Sequence, residues 1–433
     1  MTDGKYRMQW DKFVGSIDRR HFLVTSLAAG VATLTPRFAH AEAERFRLGL
    51  ILSATGPGSN YCESAIQAVT YGVAELNKRG GLLGKYPIEL IFRDEQSKPE
   101  AAAREARDLI DRQKVHAVIG TWSSASALAV QEIAYEQKVL HISACGNSSQ
   151  LIAENYSPYT FLVTPNSQME SAAIAVTLAQ MAKDKNWKRF VTIGQDYEWG
   201  RAQQKGFIEV FTQRTPGVEL TKEFWFKLGE TNFAPYIAAI MAAQPDFCFG
   251  AMSAKDSATF MLQAKANGMF RKVVYPGGLI TVADMQQQTK TLERGLIGVT
   301  RAPFFALLNE PVMQRYIKLH QENNGPKTYP TDWACMHLDA LYAIEQAAKK
   351  SGQIDSESLR KALTGATIDT CRGQAAFAEC SNQLAIPAGF VGTITDTPDY
   401  PFPIYDLKTL VRVDAKEVER SCAELEAVRK KRA

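Results

Sequence analysis

The chain has 433 residues, with 50 Lys and Arg against 46 Asp and Glu, a formal charge of +4. Apolar residues make up 45%, charged residues 22% and aromatic residues 10%, which excludes a disordered, collagen-like or coiled-coil chain. The length suits two or three domains or one two-lobed unit, the near-even charge offers no basic stripe for nucleic acid, and no apolar run reaches the roughly 18–20 residues of a membrane span.

In chain order, residues 1–21 are polar and carry Arg19-Arg20. A run of 13 mostly apolar residues follows, Phe22 to Leu34, and then the small-residue site Ala39-His40-Ala41. This order predicts a secretory signal peptide over 1–41. The segment Asp18-Arg19-Arg20-His21-Phe22-Leu23 resembles the twin-arginine export motif, with Asp18 in place of the usual Ser or Thr. The expectation is a folded protein delivered to a bacterial periplasm; an amphipathic helix of the mature domain is the alternative. Cleavage after Ala41 leaves 392 of the 433 residues and removes six basic and three acidic side chains, so the charge falls from +4 to about +1. The basic cluster Arg429-Lys430-Lys431-Arg432 reads as a frayed, solvated tail.

Phe46–Leu52 is an apolar, β-prone run that ends at Thr55-Gly56-Pro57-Gly58. Residues 64–79 place Ala65, Val69, Val73 and Leu76 at helical spacing, and Gly80-Gly81 stops that helix. Strands are predicted at Ile88–Phe92, Val115–Ile119 and Val139–Ser143, with helices over 99–113 and from the Ser-rich turn to about Lys138. The rhythm resumes with strands at Phe190–Gly194, Glu219–Phe224, Phe247–Gly250 and Val273–Tyr275, and helices at 201–213, 232–243 and 256–268. A long helix over 328–350 and short β-like pieces at Ala375–Phe377, Gly389–Thr395 and Tyr405–Val411 close the chain. Strands alternating with helices predict an α/β fold with parallel sheets, in two Rossmann-like lobes of about 46–163 and 188–300. Ligands of such sheets bind beyond the carboxyl ends of the strands, which puts a ligand cleft between the lobes.

The turns at those ends are the candidate site. Tyr61 follows Gly56-Pro57-Gly58 and offers a ring face or hydroxyl to a ligand, or packs on its own lobe. Trp122, Ser123 and Ser124 sit in a turn whose hydroxyls and helix N-terminal N–H groups suit a carboxylate. The same serines serve equally as a helix cap. Cys145, Gly146 and Asn147 follow the next strand and complete that pocket, or form a polar turn with a buried thiol. In the second lobe Tyr197 and Trp199 bring ring surface to a strand end, and Gly278 brings backbone only.

Catalytic and metal motifs are absent. There is no G-x-S-x-G, H-E-x-x-H or P-loop pattern and no Cys/His set at zinc spacing, so no catalytic residue, metal or cofactor is assigned. Beyond residue 41 the histidines are His116, His141, His320 and His337, of which the first two lie in or beside apolar runs. Cys145 is the one candidate nucleophile, or a buried inert thiol. All seven cysteines lie beyond residue 41, and Cys371 and Cys380 stand at a spacing a hairpin can bridge, a candidate disulfide.

Thr55-Gly56-Pro57, Glu75 to Gly84 (ELNKRGGLLG), Asp94, Ala101–Ile110 and Val115 to Gly120 together resemble the type I periplasmic binding proteins, in particular the leucine/isoleucine/valine-binding proteins of ABC transporters. The resemblance spans nearly the whole chain after residue 41. It implies two lobes joined by three crossovers at a hinge: 44–163 with 300–366, and 166–298 with 368–414, leaving 415–433 as a C-terminal tail. It implies ligand contacts at Tyr61, Ser123, Ser124, Gly146, Asn147 and Trp199. Some amino-acid binders of this family carry an acid near the turn that here reads Tyr275-Pro276-Gly277-Gly278, and this chain has none there. The ligand classes implied are a branched-chain amino acid, an amide or urea-like compound, or an aromatic acid. The implied role is a monomeric solute-binding component that delivers its ligand to an inner-membrane permease. A ligand sensor serving a receptor, and an enzyme using Cys145, are the rival classes.

Overall fold

The computed structural model describes residues 44–432, and the predicted leader lies outside them. The first sheet contains β1 (Phe46–Leu52), β2 (Ile88–Asp94), β3 (Ala117–Gly120), β4 (Leu140–Ser143) and β5 (Thr160–Leu162), all parallel in the order β2-β1-β3-β4-β5. Helices α1 (Ser59–Lys78), α2 (Pro99–Arg107) and α3 (Ser124–Glu136) connect them. Strands β1, β3 and β4 are covered on both faces, so all their residues but Arg47 are buried and they read as unbroken apolar runs.

The second lobe begins with α4 (Ser167–Asp184) and continues through β6 (Arg189–Gln195), α5 (Glu198–Arg214), β7 (Glu219–Phe226), α6 (Ala234–Ala243), β8 (Phe247–Ala251), α7 (Ala254–Ala266), β9 (Pro276–Gly277), α8 (Val282–Gln287) and β10 (Ile297–Thr300). Strands β6 to β10 are parallel. The predicted strand at Val273–Tyr275 contributes one bridge, Phe247 to Val274, before its ladder forms at Pro276–Gly277. The chain then returns to the first lobe with α9 (Pro311–Asn324), α10 (Asp332–Ser351), α11 (Ser356–Leu363) and the hairpin β11 (Thr367–Thr370) and β12 (Gly373–Ala376). Asp332, at the start of α10, accepts the backbone N–H groups of Val282 (2.8 Å), Arg301 (3.0 Å) and Ala302 (2.8 Å), which fastens the two lobes at the hinge.

The third crossover falls later than residue 367. Residues 377–384 stay on the first lobe because they extend its sheet: Leu162 N–H donates to Asn382 O, and Leu384 N–H donates to Leu162 O, both at 3.0 Å. Strands β13 (Gly389–Thr395), β14 (Ile404–Tyr405) and β15 (Val411–Val413) then complete the second sheet, antiparallel to their neighbours.

Two expectations for the C-terminal part are corrected. The disulfide joins Cys380 to Cys422, not to Cys371. Cys371 points into the first lobe, where its Sγ donates to Asp339 Oδ2 at 3.2 Å, whereas Cys380 lies under the C-terminal segment. The basic tail is a docked helix, α12 (Cys422–Arg432). Leu425 is buried with Ala127, Leu151, Ile152 and Leu162 of the first lobe. Arg429 donates to Cys380 O (2.7 Å) and Ile152 O (2.5 Å) and stacks 4.0 Å over the Tyr156 ring.

Candidate functional site

The loops at the carboxyl ends of both sheets face each other. The first lobe contributes Tyr61, Trp122, Ser124, Cys145 and Asn147, with Trp333 from α10. The second contributes Tyr197, Trp199, Ser253, Leu279 and Arg301. Together they enclose only about 20 Å³, on the order of one water molecule. Contacts across the cleft hold them together. Tyr61 Oη donates to Asp284 Oδ2 (2.8 Å), Gln287 Nε2 to Asn60 O (2.9 Å) and Lys255 Nζ to Gly56 O (3.3 Å), while Ser148 bonds Glu198. The Trp122 and Tyr197 rings, from opposite lobes, lie 19° from parallel with centroids 6.4 Å apart.

Seven of the ten residues singled out in the sequence meet here: Tyr61, Trp122, Ser124, Cys145, Asn147, Tyr197 and Trp199. Three do not line the cleft. Ser123 caps α3, its Oγ accepting Ser126 N–H at 3.0 Å. Gly146 lets the loop after β4 press on the loop after β3, since a Cβ there would lie 2.7 Å from Ser123 O. Gly278 packs against β8 in the same way, 2.7 Å from Gly250 O.

Most donors expected to hold a carboxylate are already engaged. Trp122 N–H donates to Glu95 Oε1 (2.7 Å), Gly146 N–H to Thr121 O (2.8 Å) and Asn147 N–H to Ser124 Oγ (3.3 Å). At the start of α3, Ser126 N–H is taken by Ser123 Oγ (3.0 Å) and Ala127 N–H by Ser123 O (2.9 Å). The cation of the cleft is Arg301, which sequence reasoning missed. Its Nε and Nη2 donate to Glu170 at 2.7 and 3.1 Å, and its Nη1 donates to Cys145 O (3.0 Å) and Thr164 Oγ1 (3.1 Å). These bonds use four of the five guanidinium N–H groups. The one signal in the sequence is position: a lone charge directly after the apolar strand β10. Trp333, also missed, stacks on Tyr61 (4.6 Å between centroids) and lies under the Arg301 guanidinium (5.0 Å).

Burial sets the electrostatics. It pushes the Cys145 thiol up to about 12 against the pull of Arg301, which favours the protonated thiol over the thiolate at neutral pH. It pushes Glu95 up to about 7 against the hydrogen bonds of Ser126, Trp122 and Ser53. It raises Asp284 to about 6 against those of Thr281 and Tyr61. No lining side chain is acidic. Among the described residues no three His, Cys, Asp or Glu side chains group as a metal site. A larger groove of about 460 Å³ runs beneath α12, away from the strand ends, and none of its side chains is a buried polar group lacking a partner.

The cleft thus lies between the carboxyl-end loops of a parallel sheet and those of the parallel strands of a mixed sheet. Residues 45–397 match the family model for periplasmic binding proteins. The chain belongs to this family. Among relatives of this periplasmic binding protein, the Leu/Ile/Val-binding protein homolog 4 of Brucella abortus is 22% identical over 382 residues, 84% of this chain and 88% of that protein. Among solved structures, an ABC-transporter solute-binding protein of Rhodopseudomonas palustris in complex with 3,4-dihydroxybenzoic acid is similar with a TM-score of 0.73, 21% identity and coverage of 86% and 98%. A leucine-binding protein of Thermotoga maritima gives a TM-score of 0.71, 21% identity and coverage of 84% and 98%. At these identities the structural likeness speaks for the fold.

Proposed function

We propose that this periplasmic binding protein is the substrate-binding component of an ABC-type importer and that its solute is a small aromatic carboxylate. The observation that carries this reading is the Trp122–Tyr197 pair. Two aromatic faces, one from each lobe, flank the cleft 19° from parallel with centroids 6.4 Å apart. A planar ring admitted as the lobes part has an aromatic face on either lobe to pack against, and closure brings both faces onto it. The α3 first turn and the remaining Arg301 N–H supply a carboxylate with donors. A free amino acid brings an ammonium group as well, and the cleft lining holds no acid to receive it.

In this reading the solute docks on the first lobe and the second closes over it. The closed form is favoured because only there does the solute touch both aromatic faces. The closed pair of lobes is the surface an inner-membrane permease recognises. The leader 1–41 directs export, and an intact mass beginning at Glu42 is its signature. The deciding experiment is a thermal-shift and calorimetry screen of benzoates, leucine, isoleucine, valine, acetamide and urea. A solute at 100 times its Kd adds about 2.7 kcal/mol of stability. Aromatic acids are expected to shift the melting point and leucine is not. A shift with leucine or urea and none with any aromatic acid overturns the reading.

A further inference from the structure

Asn147 lies in the loop after β4 and is buried in the cleft wall. Nearly all of its polar atoms are spent inside the protein. Its N–H donates to Ser124 Oγ, and its carbonyl accepts Ser167 N–H at 2.7 Å. Its Nδ2 donates to Pro165 O at 2.7 Å and to Glu170 Oε2 at 3.4 Å. Both partners of Nδ2 are pure acceptors, and this fixes the amide's orientation. Turned over, Oδ1 would face a carbonyl and a carboxylate. What remains is Oδ1, a buried acceptor with no partner in the protein. Asn147 therefore cannot bind the solute's carboxylate with its side chain; it presents only an acceptor.

A second lining residue carries the complementary vacancy in hydrogen bonding. Trp333 Nε1, a donor, is buried and unpartnered. Its indole is held between the Tyr61 ring and the Arg301 guanidinium. A carboxylate satisfies the indole N–H, but at neutral pH it offers no hydrogen to Asn147. An unsubstituted ring offers none either. Sites built to hydrogen-bond a substrate O–H or N–H discriminate strongly against analogues that lack it, because the site's own group is then stranded.

Resting on the aromatic-acid reading, we infer that Asn147 and Trp333 determine specificity for a ring substituent that donates a hydrogen bond, a hydroxyl above all. The hydroxyl hydrogen meets Asn147 Oδ1, and a hydroxyl oxygen also accepts from Trp333 Nε1. An aromatic amine satisfies Asn147 alone.

The test is calorimetric titration of the full mature protein with benzoate, 3- and 4-hydroxybenzoate, 4-aminobenzoate and leucine. At least one hydroxybenzoate is expected to bind roughly tenfold or more tightly than benzoate, with the amine between them. Asn147→Ala is expected to erase both preferences by weakening the substituted acids more than benzoate. Because that change also releases Pro165, Trp333→Phe gives an independent measurement. It lowers the hydroxybenzoate-to-benzoate ratio and leaves the aminobenzoate-to-benzoate ratio unchanged. Benzoate binding as tightly as every substituted acid overturns the inference and leaves the aromatic-acid reading standing. Binding of leucine with no aromatic acid binding overturns both.

Discussion

Replacing Arg301 by Met tests how far the cleft floor depends on one buried charge pair. The side chains of Arg301 and Glu170 are 2% and 0% exposed. The Glu170 carboxylate accepts Arg301 twice, Gln203 Nε2 at 2.6 Å, Trp199 Nε1 at 3.3 Å and Asn147 Nδ2 at 3.4 Å. Arg301→Met strands that carboxylate among neutral donors, and removing one partner of a buried pair costs about 3–5 kcal/mol. The three remaining donors place the expected loss near 3 kcal/mol. Adding Glu170→Gln removes the stranded charge and keeps an acceptor, so the double variant should recover about 2 kcal/mol of the loss. Urea unfolding followed by tryptophan fluorescence, with m held constant, measures both. A loss under about 1 kcal/mol in the single variant, or a double variant no more stable than the single, refutes the reasoning.

Three further outcomes are expected. Cys422→Ser opens a covalent loop spanning 42 residues of separation and should cost about 2–4 kcal/mol in the same assay, an effect that wild type reproduces under reductant. Burial holds His141 and His337 down at about 4, so both stay neutral in the folded protein while the unfolded chain binds protons below about 6.5. Their contribution is then complete above about pH 6.5 and is lost as pH falls toward 4, by up to about 1.4 kcal/mol per pH unit for each; His141→Gln with His337→Gln should flatten that part of the profile, and an unchanged slope contradicts it. Tyr61→Phe removes the 2.8 Å bond to Asp284 across the cleft and should weaken solute binding about fivefold, chiefly through faster release; equal affinity would show that closure does not use this bond.

The architecture was legible where chemistry is local. Strands β1, β3, β4, β6 and β8 announce themselves as apolar runs because they are covered on both faces. The turns after them were the right places to look, since seven cleft side chains come from those turns. What the sequence hides is pairing at a distance. Arg301 and Glu170 are 131 positions apart, and nothing in either neighbourhood names the other. Asn147 looked like an anion-binding residue because its type and place fit; only its engagement with Pro165 and Glu170 shows which end of the amide is left. The cysteine pairing was misjudged because nearness in sequence favours Cys371, whereas the hairpin carries that thiol inward to Asp339. Helix α12 was masked by its charges: Leu425 and Val428, three apart, are its apolar face, and Arg429 is spent on backbone carbonyls of the first lobe.

The return of α12 to the first lobe settles a matter of parity. With a last passage after β15, the second lobe consists of two excursions, each leaving the first lobe and coming back to it. Among the described residues the chain therefore starts at β1 and finishes at α12 on the same body, the first lobe. Tension applied between those two ends loads that body and leaves the hinge slack. A reporter fused after α12 rides with the first lobe and is blind to closure by itself. A pair of probes reads the motion only if one of them sits inside an excursion.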